Sequence, residues 1–143
     1  MKNKKEKKTI LAVCTNRAPN KKVPEIAVHL AKTFGGSLYL LYVVTSSETG
    51  PAFYPHAPKE EDVAEASRFL ESFERKYGAE VKLFKKEMVV GNLVKTVLKK
   101  CKTLNPFLVV IGRVAESEIM LNLKIGVKQN LARKVTHNLL LVK

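Results

Sequence analysis

Apolar positions along this chain fall into two patterns that alternate with each other. Thr9-Ile-Leu-Ala-Val-Cys14, Ser37-Leu-Tyr-Leu-Leu-Tyr-Val-Val44 and Phe107-Leu-Val-Val-Ile111 are short continuous runs with almost no polar content. Runs of that length rich in β-branched residues predict strands buried on both faces. Between them, apolar residues recur at helical spacing. Ile26, Ala27, Leu30, Ala31 and Phe34 form one such stripe, opened by Pro24 and closed by Gly35-Gly36. Proline at the start and glycine at the end are the punctuation of a helix.

The pattern continues beyond the second strand. Thr45 to Lys59 holds Gly50, Pro51, Pro55 and Pro58 and predicts a long irregular loop. Glu60 to Tyr77 has acids in its first turn and Val63, Ala66, Phe69, Leu70 and Phe73 on one stripe, so it predicts an amphipathic helix stopped at Gly78. Glu80 to Val90 predicts a less apolar third strand, and Lys82, Lys85 and Lys86 suit a sheet edge, where they discourage pairing with another chain. Asn92 is placed to cap a third helix whose apolar face is Val94, Val97, Leu98, Cys101 and Leu104, ending before Pro106. Val127 to Thr136 has helical spacing and Leu139 to Val142 predicts a last short strand. Strands alternating with helices require crossover connections, hence an α/β fold with a mostly parallel sheet covered by helices on both faces.

At 143 residues the chain is the size of one domain. Its 45% hydrophobic and 27% charged residues exclude a disordered chain, and no apolar run approaches the roughly 20 residues of a membrane span. A soluble protein is expected. The lysine-rich start, residues 1–8, lacks the apolar core and cleavage site of a secretory signal and reads as a basic tail before a domain over residues 9–143. Two cysteines, Cys14 in a strand and Cys101 on a helix face, can build neither a metal cluster nor a disulfide framework, which fits a reducing cytoplasm.

Net charge is +13, unevenly distributed: residues 1–35 carry +7, residues 36–81 carry −4 and residues 82–143 carry +10. That asymmetry suggests an anionic partner such as nucleotide phosphate, nucleic acid or a membrane surface, although a solvated lysine-rich surface has the same composition.

Catalysis needs a nucleophile with a base, paired acids or a metal cluster, and no such constellation is legible. His29, His56 and His137 are scattered, and neither a Gly-x-Ser-x-Gly elbow nor a His-Glu-x-x-His motif occurs. The only aspartate is Asp62, in the acidic start of the second helix. Metal-dependent phosphoryl transfer, which usually places an aspartate beside the phosphates, is therefore not expected. A phosphate-binding turn is better supported. Gly112 follows a buried strand and Gly126 precedes a helix, with Arg113, Lys124 and Lys128 alongside. Glycine permits close approach, a helix amino end supplies N–H donors, and lysine and arginine supply charge. A plain turn and helix cap would use the same residues.

The order and spacing of these pieces resemble the universal stress protein domain over nearly the whole chain. The similarity runs through Ile10-Leu-Ala-Val-Cys14, Ala27-Val-His-Leu-Ala-Lys-Thr-Phe-Gly35, Leu38-Tyr-Leu-Leu-Tyr-Val-Val44, Val90-Gly-Asn92, Phe107-Leu-Val-Val-Ile-Gly112, Gly126 and Asn138-Leu-Leu-Leu-Val142. The resemblance implies a single doubly wound, Rossmann-like sheet of the adenine nucleotide alpha hydrolase type, with five parallel strands in the order 3-2-1-4-5. It also implies a ligand site at the switch point between strands one and four, around Cys14, Thr15, Val43 and Gly112.

Nucleotide-binding members of that family are marked by a glycine, two residues, a second glycine, a longer gap, a third glycine and then Ser or Thr. Gly112 matches the first glycine, Ala115 stands at the second, Gly126 comes one residue late and Val127 replaces the hydroxyl. Those members also look to hold adenine or ribose with an aspartate ending the first strand, where this chain has Cys14 or Thr15. With Asp62 far along the sequence, that contact is not expected. Each lost buried hydrogen-bonding partner costs on the order of 1–3 kcal/mol, so several losses weaken binding by orders of magnitude.

The resulting expectation is a non-enzymatic stress-response or regulatory domain that binds ATP weakly or not at all. It would be a homodimer through its last strand and could serve a protein partner or a transporter. One alternative is an ATP- or AMP-binding module in which Arg113, Lys124 and Lys128 replace the missing motif residues. Another is a binder of anionic surfaces, nucleic acid or membrane, of which a membrane surface is the partner left open. Nucleic acid is not expected, because no recognition helix or aromatic RNA-binding motif is visible.

Overall fold

The computed structural model describes residues 8–16, 21–45, 59–112 and 138–142. The elements run β1 (Thr9–Thr15), α1 (Lys22–Phe34), β2 (Ser37–Val44), α2 (Glu60–Tyr77), a 3₁₀ turn (Gly78–Glu80), β3 (Phe84–Val90), α3 (Leu93–Leu104), β4 (Leu108–Gly112) and β5 (Asn138–Val142). The strands form one sheet in the order β3-β2-β1-β4-β5, with every neighbouring pair parallel. It is an α/β fold with a parallel sheet.

Near-continuous apolar strands follow from burial on both faces. Ile10, Leu11, Leu40, Leu41, Val110 and Ile111 are fully excluded from solvent, and burying such a side chain stabilises by ~1.5–3 kcal/mol. Strand alternation divides them between two cores. Ile10, Leu40 and Val110 pack with α1 and α2, whereas Leu11, Leu41 and Ile111 pack with α3 through Leu93, Val97 and Cys101.

Local chemistry sets most boundaries. Pro24 lies in the first turn of α1, where its missing N–H costs nothing, and Gly35 ends the helix in the left-handed region at φ 63°. The Asn92 side chain accepts a hydrogen bond from the Lys95 backbone N–H at 2.9 Å and caps α3, which ends in a left-handed Asn105. The expected stop at Gly78 differs in detail. Its φ is −58° and its N–H bonds the Glu74 carbonyl, so the chain turns on through a 3₁₀ turn and β3 starts at Phe84 instead of near Glu80. That turn is held partly by Lys32, whose Nζ meets Glu80 Oε1 at 2.9 Å. Strand β3 lies at a sheet edge, as its lysines suggested. The expected loop from Thr45 to Lys59 and the expected helix from Val127 to Thr136 lie outside the described residues, apart from the loop's two ends. Among the described residues, no helix is long and apolar enough to cross a membrane.

Candidate functional site at the carboxyl edge of the sheet

Parallel order with β1 between β2 and β4 creates a switch point: the chain leaves β1 toward one side and returns through β4 on the other. Open α/β sheets bind ligands outside the carboxyl ends of strands at such a point. Four of the residues expected there are described, and the fold brings them together. Thr15 pairs with Val43 and Cys14 with Tyr42 across β1 and β2, and Gly112 ends β4 opposite Val142.

Their environments are unlike. Cys14 faces the α1–α2 core, and burial pushes its thiol up to about 12. Beside it Tyr42 is driven up to about 12, first by burial and then by nearby Cys14, Glu65 and Asp62, while its ring meets Phe69 edge-on at 5.8 Å. Neither group offers an ionised side chain at neutral pH. Thr15 and Val43 are buried, and Val43 packs in the α3-side core. Arg113, Ala115, Lys124, Gly126, Val127 and Lys128 lie outside the described residues. Among the described residues no group of His, Cys, Asp or Glu could hold a metal ion.

Two residues that sequence reasoning did not single out, Asn16 and Thr45, form the polar part of this edge together with Asp62. Asn16, the first residue after β1, accepts from the Thr45 backbone N–H at 2.8 Å and from Thr45 Oγ1 at 3.2 Å through its side-chain oxygen. Its amide nitrogen donates to the Thr45 carbonyl at 3.2 Å and to Asp62 Oδ2 at 3.4 Å. Asn16 therefore ties the end of β1 to the end of β2 and to the first turn of α2. The chain's only aspartate is 46 residues away in sequence and adjacent in space. A polar residue directly after a buried strand was the only signal in the sequence, and it named no partner.

The model of the family described as universal stress protein matches residues 7–143. This chain belongs to the universal stress protein family. Solved universal stress proteins share its fold. UspA from Lactobacillus plantarum aligns with TM-score 0.65 at 18% identity, covering 95% of this chain and 97% of that one. The protein from Archaeoglobus fulgidus in complex with dAMP aligns with TM-score 0.58 at 14% identity, covering 96% and 98%. The family protein from Arabidopsis thaliana with AMP bound aligns with TM-score 0.55 at 16% identity, covering 95% and 91%. Comparison with curated protein sequences finds no match.

Against the universal stress protein pattern, the end of β1 carries Cys14 and Thr15 where nucleotide-binding members look to have an aspartate. The Asp62 carboxylate, carried by α2, reaches the residue after that strand and accepts from Asn16.

Proposed function

We propose that this chain is a non-enzymatic, regulatory universal stress protein whose carboxyl-edge site takes an adenine nucleotide with low affinity. Two structural relatives carry AMP or dAMP, which supports an adenine nucleotide as the ligand class. The observation that carries the low affinity is the state of the β1 end: Thr15 is buried, and the polar atoms of Asn16 are engaged with Thr45 and Asp62. A ligand seeking a side-chain partner there must displace an existing hydrogen bond, which costs on the order of 1 kcal/mol or more per group.

Titration calorimetry with AMP and with ATP tests this reading. A dissociation constant weaker than ~100 µM is expected, equivalent to less than about 5.5 kcal/mol of binding. Micromolar binding would overturn it. If such binding collapsed in the double variant R113A/K124A, the second reading, in which basic residues replace the lost motif, would stand instead. Homodimer formation through β5, which forms the sheet edge opposite β3, belongs to the same proposal.

A further inference from the structure

Among the described residues, charge divides unevenly between the two faces of the sheet. On one face lie α2, with Glu60, Glu61, Asp62, Glu65, Glu71 and Glu74 against Arg68, Arg75 and Lys76, and α1, with Glu25 against Lys22 and Lys32. On the other lies α3, which has four lysines and no acid. Across β1 to β4 and α3 the only acid is Glu87. It is already engaged. Glu87 accepts from Tyr39 Oη at 2.6 Å and pairs with Lys100 Nζ at 2.5 Å, and Lys100 also donates to Tyr39 Oη at 3.2 Å.

The remaining cations on this face stand in a row. Lys95, Lys99 and Lys102 occupy positions i, i+4 and i+7 of α3, all exposed, and span about 10 Å of helix at its usual rise. Lys85 is exposed and in register with Tyr39, which packs on the α3 side, so it shares that face. None of these four ammonium groups pairs with a carboxylate among the described residues.

The row is unfavourable for the isolated fold. Lysines at i and i+4 repel each other, and Lys95 lies in the first turn, at the positive end of the helix dipole, where no acid offsets it. An anionic ligand would relieve both.

We propose that the outer face of α3 is a docking surface for the phosphate backbone of nucleic acid, contacted without regard to base sequence through Lys95, Lys99 and Lys102. Charge alone produces non-specific nucleic-acid binding. Stable attachment to a membrane needs an apolar anchor beside the charge, and no apolar residue of α3 is exposed: Leu93, Val94, Val97 and Cys101 are buried against the protein, and Leu98 and Leu104 are half-buried. The lack of base-reading residues, which argued against nucleic acid in the sequence, does not bear on contacts made to phosphates.

The test is fluorescence anisotropy of the full chain with a labelled mixed-sequence DNA duplex across a salt series. The triple variant K95Q/K99Q/K102Q is compared with K21Q/K59Q/K82Q, which removes the same charge from exposed lysines elsewhere. Circular dichroism confirms that each variant is folded. The α3 triple should bind at least ~10-fold more weakly at ~100 mM salt and flatten the log–log salt slope by about 2.7, while the control triple retains most of both. K95R/K99R/K102R should bind like the unaltered chain. Three results would overturn the proposal: no duplex binding at ~50 mM salt, equal weakening in both glutamine triples, or capture by phosphatidylserine vesicles through these lysines with no duplex bound.

Discussion

Single residues here act mainly through what surrounds them. Cys14 and Cys101 are free thiols, raised by burial to about 12 and about 11, and so are small hydrophobes in function. The Tyr39–Glu87–Lys100 cluster is different, because its charges are half-exposed. For Glu87, burial alone would raise the carboxyl, but hydrogen bonds from Lys100 and Tyr39 outweigh it and hold the group below the usual carboxylate range. Tyr39 is raised, first by burial and then by its bond to Glu87. Lys100 is raised, chiefly by its hydrogen bond to Glu87. A carboxyl depressed in the folded state stabilises the fold at neutral pH, and that contribution disappears as pH falls below ~4.3 and through the folded value. Urea denaturation of the unaltered protein and Glu87→Gln should therefore differ by ~0.2–1 kcal/mol at pH 7, and the two should converge on acidification. A gap that persists to the lowest pH at which the protein folds would show that the carboxylate charge is not the source.

At the scale of elements, the junction between α1 and β2 shows how little room the fold leaves. Gly35 closes α1 in the left-handed region, and Gly36 passes so close to β1 that a Cβ added there would meet the Lys8 carbonyl oxygen at 2.1 Å. That same oxygen accepts the Ser37 N–H at 2.8 Å and so starts the β1–β2 ladder. Gly36→Ala must push the two strand starts apart, and overpacking of this kind costs ~1–3 kcal/mol or more. Chemical denaturation should show a clear loss of stability, and an unchanged midpoint would mean that the junction yields freely. The Gly35-Gly36 pair was legible in the sequence as a helix stop, but the reason for its second glycine was not. A close approach between residues 8 and 36 is a tertiary fact.

For the molecule as a whole, the sheet order leaves β3 and β5 as edges. Edge strands expose unpaired backbone groups, and proteins either block or pair them. Lysines at 82, 85 and 86 suit blocking at β3, while the apolar Asn138-Leu-Leu-Leu-Val142 suits pairing at β5. Light scattering coupled to size-exclusion chromatography should give twice the mass of one chain, and Leu140→Lys should shift it toward the monomer. A monomeric mass at high protein concentration would remove the homodimer from the proposed function. The charge map is also a property of this scale: the basic surplus of residues 82–143 was plain in the sequence, but the placement of Lys85, Lys95, Lys99 and Lys102 on the side of the sheet opposite acidic α2 was not.

Sequence alone determined the α/β class, the parallel sheet, most element boundaries and the family, because each follows from short-range pattern: continuous apolar runs, helical stripes, caps and their order. It also placed Cys14, Thr15, Val43 and Gly112 near a common edge. Tertiary structure alone decided what that edge is made of. Hydrogen bonds among Asn16, Thr45 and Asp62 join residues 29 and 46 positions apart, and no local pattern encodes such partners. The same holds for Glu87, whose engagement with Tyr39 and Lys100 leaves Lys95, Lys99 and Lys102 of α3 without an ion pair among the described residues.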